Sequence, residues 1–68
     1  MDISTEVKVL YTKEKKTQGQ LSKMLGMTQA NLSKKIKNNS FFVRDLENIA
    51  DALGYELKIE FIKKEPRD

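Results

Sequence analysis

The chain has 68 residues and a formal net charge of +3, which bounds it to one small domain near the lower limit of what folds alone. It contains no Cys and no His; this excludes a disulfide framework and a zinc finger and removes the commonest general base and metal ligand, so neither an enzyme nor a cofactor is expected. No apolar run approaches the ~18 residues of a membrane helix and no signal-peptide pattern opens the chain, so a cytoplasmic protein without a membrane partner is expected.

The first predicted helix spans Met1 to Lys16. Ile3, Val7 and Leu10 recur at helical spacing and Tyr11 extends the stripe, which marks a core-facing side. Asp2 or Ser4 can cap its start. Lys13 to Lys16 is a polar, fraying end whose cations suit a helix C-terminus.

Thr17 opens the second predicted helix. Thr17 and Gln20 have the capping-box spacing, a hydroxyl at the N-cap and an amide three residues on. Leu21, Met24 and Leu25 supply the buried side, and Ser22 is small enough for another helix to approach. Gly26 suits the left-handed position that ends a helix. Gly19 in the first turn costs up to roughly 1 kcal/mol of helix propensity relative to Ala.

Thr28 is the next N-cap, and a third helix is predicted from Gln29 to about Lys37. Leu32 and Ile36 lie one turn apart and define its inward side. The opposite side carries Ala30, Lys34 and Lys37, with Asn31 beside them, and no large apolar residue. Amide, methyl and ammonium groups are the tools for reading base edges and holding phosphates. Asn38 to Ser40 is a loop.

A fourth helix is predicted from Phe42 to Leu53, closed by Gly54, with Val43, Leu46, Ile49, Ala50 and Leu53 buried. Phe41 and Phe42 are expected as core plugs. After Gly54 the period changes to two. Tyr55, Leu57, Ile59 and Phe61 alternate with Glu56, Lys58 and Glu60, which predicts a strand over 55–62. A lone strand leaves its polar backbone edges unpaired, so pairing with a second copy, through Tyr55, Leu57, Ile59 and Phe61, is expected. Residues 1–62 then form the domain, and residues 63–68 a flexible tail.

Charge divides along the chain. Residues 1–40 hold eight lysines against three acids, whereas residues 41–68 hold five basic residues against seven acids. A polyanion-facing surface belongs to the N-terminal part, although a solvated lysine surface would look the same by charge alone.

The two helices around Gly26 satisfy the requirements of a helix-turn-helix: a short, firmly ended first helix, a tight turn, and a second helix with one outward polar face. On Thr17-Gln18, Leu21-Ser22, Leu25 to Thr28, Leu32-Ser33, Leu46 and Ile49 to Gly54, the chain resembles the Cro and phage-repressor (xenobiotic-response-element) type of helix-turn-helix regulator. The resemblance covers about residues 5–54. It implies a mainly α, four-helix lambda-repressor-like domain, to which the C-terminal strand is an addition. It also implies that Gln18 binds a phosphate and braces Gln29, eleven residues on.

By the same resemblance, Gln29, Ala30 and Lys34 are placed at bases, and Asn31 joins them from the same helix face. Expected phosphate contacts are Gln18, Thr28, Ser33, Lys35, Lys37, Asn38 and Asn39. Lys16 departs from the family's usual apolar residue, Ser22 replaces Ala, and Tyr11 and Ile36 stand where some members place a buried Arg and Glu. The expected function is that of a homodimeric repressor on a palindromic duplex DNA operator. The alternative is a protein-interaction module, such as an antitoxin or phage antagonist, that binds a partner protein.

Overall fold

A computed structural model describes residues 2–65 and contains four helices: α1 (Ile3–Lys13), α2 (Gln18–Met24), α3 (Gln29–Asn38) and α4 (Val43–Leu53). Local chemistry sets where each begins. Asp2 caps α1, its carboxylate accepting from the Ser4 N–H at 3.0 Å. Thr17 and Gln20 form the full capping box of α2: the Thr17 hydroxyl accepts from Gln20 N–H at 3.1 Å, and the Gln20 amide accepts from Thr17 N–H at 2.8 Å. Thr28 caps α3 by accepting from Asn31 N–H at 3.1 Å. At α4 the N-cap is Phe42, which has no acceptor. There Asp45 reaches back and accepts from the Phe42 N–H at 2.9 Å. Such caps satisfy helix donors that have no partner within the helix.

All four helices stop in the same way. One residue turns left-handed, and the next returns its N–H to a carbonyl five residues back, the Schellman arrangement. The left-handed residues are Lys15, Gly26, Asn39 and Gly54. The closing bonds run from Lys16 to Tyr11 (2.8 Å), Met27 to Ser22 (3.0 Å), Ser40 to Lys35 (3.0 Å) and Tyr55 to Ala50 (2.7 Å). Gly26 and Gly54 fill this position without strain, and a Cβ on either would meet nothing within 4 Å, so their value lies in backbone freedom rather than in space. Lys15 and Asn39 adopt the same conformation with a side chain in place. α1 therefore ends at Lys13 rather than Lys16.

The core is one cluster to which every helix contributes: Val7, Leu21, Leu32, Ile36, Ile49 and Leu53. Leu21 and Leu32 are wholly buried and join α2 to α3. Truncating either to Ala costs about 2–5 kcal/mol, which rivals the entire stability of a small domain. Ile36 belongs to this cluster and Tyr11 packs against it. Ser22 is buried, and its hydroxyl donates to the Gly19 carbonyl at 2.7 Å, so a small polar residue sits in the core without an orphaned group.

The expected C-terminal strand is not formed. Among the described residues there is no β-strand, and 55–65 have no regular structure. Alternation makes a segment compatible with a strand, but a strand exists only as part of a ladder, and no second period-two segment in this chain offers an edge. The first residues of the segment pack on the chain's own core instead. Tyr55 and Leu57 are half-buried, and the Tyr55 hydroxyl donates to Glu14 at 2.7 Å. Farther on, Ile59, Phe61 and Ile62 are exposed, Phe61 completely. The expected architecture of four helices plus a dimer-pairing strand is thus corrected to four helices with an irregular C-terminal segment. Residues 63–65 are exposed and irregular; the rest of the expected tail, 66–68, lies outside the described residues.

Three further expectations change. Phe42 is not a core plug, being 66% exposed, whereas Phe41 is half-buried against the core. Met24 and Val43, expected to be buried, are exposed. Both lie at helix ends, Met24 closing α2 and Val43 opening α4, where the apolar stripe runs past the edge of the bundle.

Candidate nucleic-acid interface

The turn between α2 and α3 is four residues long, Leu25 to Thr28, with Gly26 left-handed at its centre. Leu25 and Met27 pack down against the core, so α3 is held from its start. Its inward side is fixed by Leu32 and Ile36. Gln29, Ala30, Asn31, Ser33, Lys34, Lys37 and Asn38 are exposed, and none is large and apolar. One helix face therefore presents amides, a methyl group, a hydroxyl and two ammonium groups to solvent. The Thr28 hydroxyl spends a lone pair on its cap but keeps its proton for an outside acceptor.

The lysines of α3 divide into two kinds. Lys34 and Lys37 have no acidic partner among the described residues. Lys35 does: its ammonium lies 2.9 Å from Asp45 Oδ2 and 5.0 Å from the centre of the Phe42 ring. Ion pairing at this degree of exposure contributes about 1 kcal/mol or less, and the ring about 0.5–1 kcal/mol more. Burial pushes the Asp45 carboxyl up, but the hydrogen bond from Phe42 N–H, the Lys35 ammonium and the nearby Arg44 outweigh it and hold the group below the usual aspartate value. Phe42, Lys35 and Asp45 thus form one cluster tying α3 to the start of α4.

At the far end of α3, Asn39 turns toward α1. Its Oδ1 accepts from the Ser4 N–H at 2.9 Å and lies 3.0 Å from the Ser4 hydroxyl. That hydroxyl, buried, donates to the Ile36 carbonyl at 2.6 Å. Of the residues expected at phosphates, Lys35 and Asn39 therefore have structural partners within the fold, whereas Ser33, Lys37 and Asn38 face solvent.

At the start of α3 the expected Gln18–Gln29 brace takes another form. Among the described residues no hydrogen bond joins the two amides. Gln29 instead lies against Gly19, where a Cβ would come within 3.2 Å of Oε1 and 3.5 Å of Cδ. In the sequence Gly19 stands out only by its helix penalty, a penalty taken where no turn requires glycine. The four expected interface residues of the C-terminal segment do not behave alike: Tyr55 and Leu57 are partly used within the chain, while Ile59 and Phe61 are free.

Among the described residues no helix is long and apolar enough to cross a membrane, and no cluster of acidic side chains is suited to a metal ion. No protein-family model, no curated protein and no solved structure matches this chain.

Proposed function

We propose that the chain is a sequence-specific DNA-binding regulator of the Cro and phage-repressor type, acting in the cytoplasm as a homodimeric repressor on a palindromic operator. The observation that carries this reading is the outward face of α3. It combines Gln29, Ala30, Asn31 and Lys34 with unpaired Lys37, and it protrudes on a helix whose other side is anchored by Leu32 and Ile36. Inserted in the major groove, Gln29 and Asn31 offer bidentate amides to adenine, Ala30 meets a thymine methyl, and Lys34 reaches guanine. Lys37, Ser33, Thr28, Gln18 and Asn38 grip phosphates. Two copies related by a two-fold axis would set their recognition helices about 34 Å apart.

Selection of bound duplexes from a random pool tests the reading. A two-fold symmetric consensus is expected, relaxed at one position per half-site in Gln29→Ala. Equal affinity of the unaltered chain for every duplex would refute it.

A second reading, a partner-binding module, is favoured by Ile59, Phe61 and Ile62, three large apolar side chains exposed within four residues of the irregular C-terminal segment. Co-purification of a second protein at one-to-one, with no footprint on any selected duplex, would support it over the first.

A further inference from the structure

Gly19 occupies an ordinary helical position. Its φ is not among the positive values, which belong to Lys15, Gly26, Asn39 and Gly54. No turn or left-handed backbone calls for glycine there, and Ala has the higher helix propensity. What Gly19 supplies is space. The three atoms nearest to a side-chain carbon at that position all belong to the amide of Gln29: Oε1 at 3.2 Å, Cδ at 3.5 Å and Nε2 at 3.8 Å. The backbone beneath is fixed, because the Ser22 hydroxyl donates to the Gly19 carbonyl at 2.7 Å and the capping box holds the residues on either side. An added Cβ is therefore accommodated most cheaply by a shift of a few tenths of an ångström in the flexible end of Gln29.

We propose that Gly19 is a positioning residue, providing the seat on which the Gln29 amide rests and so setting which base the first residue of α3 prefers. The proposal rests on the DNA-binding reading and deepens it. The Gln29 amide lies over the space that Gly19 leaves open, with Oε1 nearest to it. A bidentate amide–adenine pair depends on the amide's orientation, since both hydrogen bonds must form at once. Displacing the amide by a few tenths of an ångström leaves the phosphate contacts untouched and weakens only this pair.

The test uses the full chain and the duplex that it selects from a random pool. In the DNA-free protein, nuclear Overhauser contacts between the Gly19 α-protons and the Gln29 side chain are expected; their absence overturns the seat. Gly19→Ala should keep a thermal midpoint at or above the unaltered chain's, because Ala suits the helix better. Its affinity for the selected duplex should fall roughly five- to tenfold, with the preference for the base under Gln29 flattened and the salt dependence unchanged.

In a Gln29→Ala background, the same substitution at Gly19 should change neither affinity nor preference. An equal loss in both backgrounds would show that Gly19 acts through the fold and overturn the proposal. So would undiminished preference in Gly19→Ala alone. An unaltered chain that selects no duplex removes the DNA-binding reading and this role with it, whereas selection without coupling to Gln29 removes the role alone.

Discussion

Asn39 offers the sharpest separation of backbone from side-chain effects. It is left-handed, with φ 52°, and its Oδ1 accepts from Ser4 N–H. Asn39→Ala keeps a Cβ in the left-handed conformation but removes the amide that makes Asn better suited to it than Ala, a difference of up to about 1 kcal/mol. The lost hydrogen bonds add less than a full desolvation penalty, because neither donor is orphaned: Ser4 N–H still meets Asp2 at 3.0 Å, and the Ser4 hydroxyl still donates to the Ile36 carbonyl at 2.6 Å. About 0.5–1 kcal/mol is the share expected from these bonds. The Ala variant should thus be destabilised by roughly 0.5–2 kcal/mol, or about 2–16 °C in thermal midpoint for a chain of this size. Asn39→Gly loses the same bonds but not the backbone tolerance, and should cost about 1 kcal/mol less than Ala. Urea and thermal unfolding of the three proteins measure this directly. If Ala proved as stable as Gly, the left-handed stop of α3 would not be the cause.

Four other substitutions have expected outcomes. Asp45 titrates below its usual value in the folded chain, so its stabilisation is fully present above the unfolded pKa near 4 and is lost as pH falls through the folded pKa. Asp45→Asn should therefore lower stability by about 0.5–1.5 kcal/mol at neutral pH and flatten the pH dependence below pH 4, as followed by urea unfolding. Lys37→Ala should weaken duplex binding evenly across sequences and reduce the salt slope by about one; Lys35→Ala should lower stability and leave that slope nearly unchanged, because its ammonium is held by Asp45 and Phe42. Lys15→Gly relieves a left-handed lysine at the end of α1 and should raise stability by about 0.5–1 kcal/mol; a loss on thermal unfolding would show that the Lys15 side chain makes a compensating contact.

What could be read from the sequence was what is local. Thr17 with Gln20, Thr28, Gly26 and Gly54 act on residues within one turn of themselves, so their spacing carries their geometry. The core stripes were visible for the same reason, except at Met24 and Val43, where periodicity continues beyond the edge of the packing. Contacts between distant residues left no such trace. Ser4 meets Asn39, and Lys35 meets Asp45 on another helix, pairings that no periodicity reveals. The left-handed Lys15 and Asn39 use the same stop as Gly26 and Gly54 without the residue that signals it. The strand expected over 55–62 failed because alternation describes one chain's preference, whereas a ladder needs two partners. On the outward face of α3 the exposed residue types were legible, but the division of its lysines and the seat under Gln29 depend on what α2 and α4 place beside them.

The anchoring of α3 has a consequence for how its surface can change. Thr28 closes its start, Asn39 its end, Leu32 and Ile36 its inner side, and the Lys35 cluster one flank. None of these attachments uses Ala30, Asn31, Ser33, Lys34 or Lys37 through its side chain. The helix is complete before any contact with a ligand, so binding does not have to fund its folding, and the heat-capacity change of association should reflect only the surface that meets, not a coil-to-helix transition. Those five positions form a face that can be rewritten without renegotiating the scaffold; on the DNA-binding reading proposed above, single substitutions there should change specificity and leave stability nearly unaltered.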